Sequence, residues 1–183
     1  MSNFKNHLNT VNNHRREVRK LCFKCGLYKQ GLMHDLSKYS PTEFLPQIHY
    51  WTGKQSPIDL EIKEKGYSAA WLHHKGRNKH HYEYWYDPSH QSFAKIPKKY
   101  LAEMFCDRVA ASKTYLGVSY KSSSPYEYFQ SKRDIESKMM NPDSFAMLEK
   151  MFICLKKYGE DRTCKMIKEW LIQQPTTKVA GLQ

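Results

Sequence analysis

Glycine and proline are scarce in this chain, with 8 of each among 183 residues. So small a supply of turn formers disfavours a sandwich or barrel of many short strands. No apolar run approaches the roughly 18 residues that a membrane-spanning helix needs, so no membrane partner is expected. The opening MSNFKNHLNT has no apolar core of the kind a secretory signal carries, and no leader is expected. Cysteine is present five times, an odd number without framework spacing. That argues for reduced thiols and a cytoplasmic setting. Acidic groups are in deficit: 18 Asp and Glu stand against 30 Lys and Arg, for a formal net charge of +12. The excess has no separate tail, with 14 basic against 8 acidic groups in residues 1–90 and 16 against 10 in residues 91–183. Such a chain attracts anions such as nucleotides and phosphate esters. The even spread counts against a dedicated nucleic-acid arm, and a lysine-rich soluble surface is the plainer explanation. Histidine is missing from the whole stretch beyond residue 90.

What is there begins with those histidines. All nine fall at positions 7, 14, 34, 49, 73, 74, 80, 81 and 90. Imidazole is the commonest metal ligand and the natural acid or base near neutral pH, so their crowding is a functional lead. Aromatic residues make up 14% of the chain, which excludes a disordered polymer.

The periodicity is helical. Phe4, Leu8, Val11, Val18, Leu21 and Cys25 repeat at multiples of three and four, an amphipathic helix of about 20 residues that Gly26 should end. Residues 27–40 read as a connection with one helical turn around LMHDLSK. Ser40-Pro41-Thr42-Glu43 is a helix start, with Ser40 as cap and Glu43 three residues later, running to about Trp51 and stopping at Gly53. Further helices are expected from Ser56-Pro57 to about Leu72, from Pro97 to about Tyr115, from Ser124-Pro125 to about Met139, from Asn141-Pro142 to about Tyr158, and over 160–173. Residues 76–94 read as irregular and no strand pair is evident. The expectation is an all-α single domain over 1–175, a bundle of about six to eight helices, with a flexible tail at 176–183.

Three features carry chemistry. His14 sits in the apolar stripe of the first helix, three after Val11 and four before Val18, and so faces inward. A core histidine bonded to a carbonyl is the alternative. His7, on the same face, reads as satisfied or exposed. Asp107 lies in a 4-3-4-3 pattern with Tyr100, Met104, Ala111 and Thr114, which also turns it inward. An isolated buried carboxylate is costly, so it needs a cation, a hydrogen-bond network or a metal. His34-Asp35 is an adjacent imidazole and carboxylate that can bind one ion together. The lone Cys22-Phe23-Lys24-Cys25 lacks the second pair of a zinc ribbon and reads as core. Tyr82, Tyr84, Trp85 and Tyr86 offer stacking or simple packing.

The order His14, His34-Asp35, Asp107 resembles the HD-domain superfamily of metal-dependent phosphohydrolases, a helical fold. HDLSK at 34–38 is similar to the HD-x-x-K form of several of its branches. The closer resemblance is to a group of small HD-like proteins of bacteria and phages, carried by HDLSKYSPTEF (34–44), HHKGRNKHHYEYW (73–85) and EMFCD (103–107) within residues 7–115. The C-terminal helices, 124–173, carry none of it and complete the packing. The resemblance implies that His14, His34, Asp35 and Asp107 form a primary metal site. It implies that Lys38 meets a substrate phosphate, and that Glu43 acts as acid or base or supports a ligand. The capping box alone also accounts for Glu43.

Two-metal HD proteins carry extra histidines between the HD pair and the last aspartate. His74 and His81 are the first choice for a second ion, then His80, then His73. Arg77 is a candidate anion contact, and Asn78 and Glu83 are candidates to orient ligands. The histidine-rich segment departs from the usual HD signature. Mixed imidazole and carboxylate donors suit one or two divalent ions, whether Mn, Fe, Co, Ni, Zn or Mg. The leading expectation is a metal-dependent phosphohydrolase acting on a nucleotide or another phosphate ester, with Asp35, Lys38 and Glu43 at the chemistry and Lys38 and Arg77 on the phosphate. The alternatives are a di-iron HD-type oxygenase and a non-enzymatic protein that binds anions or nucleic acid.

Overall fold

A computed structural model describes residues 3–52 and 56–173. The first helix, α1, spans Asn3–Lys24 and buries His7, Val11, His14, Val18, Leu21 and Cys22 on one stripe. Its end is a glycine-dependent turn. Gly26 adopts φ +78°, its N–H donates to the Phe23 carbonyl at 3.0 Å, and the Leu27 N–H donates to the Cys22 carbonyl at 2.8 Å. Two carbonyls that the helix end would orphan are thereby satisfied. The chain then doubles back as α2, Tyr28–Met33. This close return needs Gly31, where a Cβ would sit 3.0 Å from Cys22 Cβ. A short 3-10 turn at Leu36–Tyr39 follows.

Next come α3 (Pro41–His49), α4 (Pro57–Lys65) and α5 (Ala69–Arg77). The single helix expected over 57–72 is broken in two. Gly66 takes φ +79° and ends α4, while Ser68 caps α5 by accepting the Trp71 N–H at 3.0 Å. Residues 76–94 are less irregular than expected. Helix α5 runs on through Gly76, and β1 (Tyr86–Asp87) pairs antiparallel with β2 (Ser92–Phe93), a small ribbon in place of no strand pair. Helix α6 spans Lys98–Leu116 and buries eight residues, Leu101 to Cys106 together with Val109 and Ala110. Burial on most sides marks it as the central helix.

The expected helix over 124–139 is also divided, into α7 (Ser124–Ser131) and the single turn α8 (Arg133–Glu136). Helix α9, Pro142–Tyr158, starts where the Asn141 side chain accepts the N–H groups of Asp143 and Ser144. Helix α10 spans Glu160–Ile172. The described residues thus hold ten α-helices rather than six to eight, because two expected helices break and residues 28–33 form one. The all-α reading stands, with 76% of the described residues helical. The expected stop at Gly53 and the tail at 176–183 lie outside the described residues.

Helix α6 packs along α1 and against α7, α9 and α10, while α3 packs on α5 and on α1. The apolar core lies between α1, α6, α9 and α10, where Phe152 stacks its ring 5.4 Å from both Phe105 and Phe129. Cys22 and Cys25 are fully buried in it, as expected. No described helix is long and apolar enough to cross a membrane.

Candidate metal centre

The polar counterpart of that core lies where α1, the turn after α2, α3, α5 and α6 converge. His14 projects from the buried stripe of α1, and its Nε2 lies 2.9 Å from Asp107 Oδ1 on α6. The His34-Asp35 turn is held by Arg15, which is one residue from His14 in α1. Its guanidinium donates to the carbonyls of His34 at 2.7 Å and Leu32 at 3.1 Å, and to the Tyr39 hydroxyl at 3.0 Å. These carbonyls belong to the end of α2, where intrahelical donors run out. Asp35 itself takes φ +52°, a left-handed conformation that aspartate tolerates better than most residues and that aims its carboxylate inward.

Asp35 is the junction of the site. Oδ2 lies 3.5 Å from His34 Nε2 and 2.7 Å from Lys38 Nζ. Oδ1 lies 3.4 Å from His74 Nε2 and 3.3 Å from His80 Nε2. Two groups of metal-type donors meet there, His14–His34–Asp35–Asp107 and Asp35–His74–His80–His81, each with its ligand atoms within 4.8 Å of one another. All four expected primary ligands are brought together. His80, ranked behind His74 and His81, stands beside both. His73 does not join them: its Nδ1 faces Glu43 Oε1 at 2.6 Å.

Glu43 is where the sequence signal misleads. Ser40 makes no capping bond from its side chain, and the Glu43 carboxylate does not return to the backbone. It is fully buried and takes His73 on one oxygen and His74 Nδ1 on the other, the latter at 2.8 Å. Glu103, not singled out in the sequence, does the same from behind. Its Oε1 lies 3.0 Å from His34 Nδ1 and 3.3 Å from His80 Nδ1. The available signal was its place four residues before Asp107, on the same face of α6. Asn78 donates to Ser37 Oγ and to the His74 carbonyl, both at 2.8 Å. Glu83 Oε2 is buried without a hydrogen bond, and burial raises the pKa of that carboxyl. Arg77 is exposed at the end of α5 and does not line the cavity.

The electrostatics are those of a site short of positive charge. Burial opposes ionisation of Asp35, but His34, Lys38 and His74 outweigh it and hold the carboxyl well below its usual range. Asp107 is held down likewise, chiefly by His14 and His34 against its burial. Burial works against the charged forms of His34 and His80, yet the carboxylates prevail. Asp35 leads in raising His34, and the carboxylates of Asp35 and Glu103 that face its ring lift His80 to about 10. Burial lowers His14, and burial together with the neighbouring His80 and His74 lowers His81 further. Lys38 is raised despite burial, by Asp35 and Asp107.

The residues fit a cation. Asp35 Oδ1 and the Nε2 atoms of His34, His80 and His81 are buried without a hydrogen-bond partner. Orphaned polar atoms are rare in a folded interior, and here they converge as metal-type donors around carboxylates. Each outer nitrogen of His34, His74 and His80 faces a carboxylate, the arrangement that fixes tautomer and ring direction in metal sites.

The centre opens into a cavity of about 520 Å³ whose wall includes His14, Asp35, Lys38, His74, His81 and Asp107 on one side and Trp51, Trp71, Ile58 and Tyr115 among others. That volume is in the range of small-molecule sites. His7 also lines it, buried rather than satisfied, with Nε2 unpartnered and the pKa lowered to about 4 by burial and then by Lys38. No curated protein and no solved structure matches the chain. Residues 3–153 do match a family of unknown function, beyond the 7–115 that the motifs span, and the chain belongs to that family, DUF5662.

Proposed function

We propose that this protein is a metal-dependent phosphohydrolase of HD type, acting on a small phosphate ester such as a nucleotide. One observation carries the reading: Asp35 is shared by two donor groups at the floor of an open cavity, with the Lys38 ammonium beside it. His14, His34, Asp35 and Asp107 would hold one divalent ion, and Asp35, His74, His80 and His81 a second. What such ions supply when bound is an acidified water and positive charge against the phosphoryl oxygens.

The protein's own groups do the rest. Lys38 stays protonated between Asp35 and Asp107 and offers a charge-assisted hydrogen bond to a phosphate oxygen. Arg77 faces solvent, so Lys38 carries the phosphate contact that was expected of both. Glu43 acts as a positioning residue, since both its oxygens are engaged by histidines and it is not in the cavity wall. Trp51, Trp71 and Tyr115 give the cavity an aromatic wall for the non-phosphate part of the ester.

The test is elemental analysis of the purified protein, followed by a phosphate-release screen over nucleotides and simple esters with added divalent metals. Release that disappears in Asp35→Ala and Lys38→Ala supports the reading. Bound iron with oxygen uptake and no phosphate release would replace it with a di-iron oxygenase. Salt-sensitive nucleic-acid binding that survives loss of the ligands would replace it with a binding protein.

A further inference from the structure

We infer that Glu103 supports both ion positions at once, so that one buried carboxylate behind the centre keeps the two donor groups in register. This rests on the metal-centre reading above, though not on the reaction proposed for it.

The geometry is asymmetric. Of the two donor groups that share Asp35, one contains His34 and the other His80, and both histidines also form a third group of metal-type donors with Glu103 itself. Their ring centroids lie 4.4 Å apart, with the planes tilted by 38° to one another. Both turn Nδ1 to the same oxygen of Glu103, at 3.0 and 3.3 Å, and both leave Nε2 buried and unpartnered on the inner side. An imidazole whose Nδ1 carries the proton presents an Nε2 lone pair, which is the form a cation requires. Glu103 thus selects the ligand-ready tautomer of one histidine in each group. Glu43 differs, since the only grouped histidine it touches is His74. On the cavity side the two groups are joined by Asp35, and on the core side by Glu103.

Glu103 has the means to act as a fixed point. It is 6% exposed, sits in the central helix, and lies one turn before the ligand Asp107. A shift of the carboxylate would move both rings together.

The experiment uses the full-length, metal-stripped protein titrated with Co(II), followed by calorimetry and by the visible bands of the bound ion. The parent should take up two ions. Glu103→Gln keeps the size of the side chain but removes the charge that holds two Nδ1 protons. It should raise both dissociation constants by about tenfold or more, the scale of outer-shell carboxylate losses, and shift the visible bands of both ions. Glu43→Gln should weaken one ion and leave the other within about twofold. Glu103→Asp retains the charge with a shorter reach, and should weaken both ions by less than Glu103→Gln. It serves the same purpose where the glutamine variant folds poorly by circular dichroism.

Two unchanged affinities in Glu103→Gln overturn the inference. So does loss of one ion alone, which would make Glu103 a ligand or support of a single site, and so does a parent that binds one ion or none. Paired uptake that depends on Glu103 without phosphate release would leave this inference standing and sink the hydrolase. Phosphate release with uptake indifferent to Glu103 would do the reverse.

Discussion

The two faces of α6 differ in what holds them. Glu103 and Asp107 share one face, one turn apart, and meet His34, His80 and His14. Phe105 lies about 200° around the helix from Glu103, at roughly 100° per residue, and meets Phe152 of α9. The apolar face is stabilised by area removed from water, which is non-directional. Several large side chains share the task there, and replacement by another of similar volume is cheap. The polar face depends on direction. Each carboxylate has named partners, and a lost partner leaves a buried charge or an orphaned donor. One helix therefore has a face that tolerates substitution beside a face that does not.

Asp35→Ala breaks this comparison most sharply. Asp35 is common to both donor groups, so its loss should weaken both ions by more than about a hundredfold, above the range for outer-shell residues. Elemental analysis after dialysis should find the variant essentially metal-free. Retention of a full complement would remove Asp35 from the ligand set.

Phe152→Ala is the matching perturbation of the other face. Phe152 is fully buried between Phe105 and Phe129. Its truncation should cost about 3–5 kcal/mol in denaturant unfolding. Metal uptake by the folded protein should stay at the parental stoichiometry. A stable variant that cannot bind metal would show that the two faces are one unit.

The histidines of the polar face are themselves unequal. His34 stands in the first donor group and contacts Glu103, whereas His81 belongs to the second alone. His34→Ala should therefore lose more metal than His81→Ala, which should keep at least one ion. Stoichiometry of the two variants beside the parent decides it. Equal and complete loss would mean that the histidine-rich segment closes a single site.

How far the sequence reveals these faces follows from the same physics. The stripe of α1, its stop at Gly26 and the inward His14 and Asp107 are legible because they rest on helical period and local backbone chemistry. The site's outer layer is not. Glu43 carries a capping signature, yet its partners lie 30 and 31 residues away on α5. Glu103 is paired across 69 residues with His34. Nothing local announces either contact. His80 and His81 follow the end of α5, so helical phase could not rank them. The break at Gly66–Ser68 was legible in principle, as a left-handed glycine before a capping serine.

The smallest expected effect lies at the seam where α10, which follows the family-matched residues 3–153, joins α1 and α6. Glu160 opens α10 and accepts Lys24 Nζ at 2.6 Å, while Lys113 Nζ pairs with its other oxygen. Burial would raise the pKa of this carboxyl, but Lys113 and Lys24 outweigh it, and the folded value lies below the ordinary 4.5. A carboxyl with a lowered folded pKa stabilises the fold above its unfolded pKa, and that contribution fades as the pH falls through the folded value. The pairs are only half-buried, so the contribution should be about 1 kcal/mol or less. Glu160→Gln should lower the urea midpoint at pH 7, and the gap to the parent should close as the pH is taken from 5 towards 3. Added salt should narrow the gap at pH 7, since partly exposed pairs are screened. A gap unchanged by both pH and salt would mean that Glu160 holds the seam by packing and hydrogen bonding alone, and that α10 joins the apolar face without an ionic clasp.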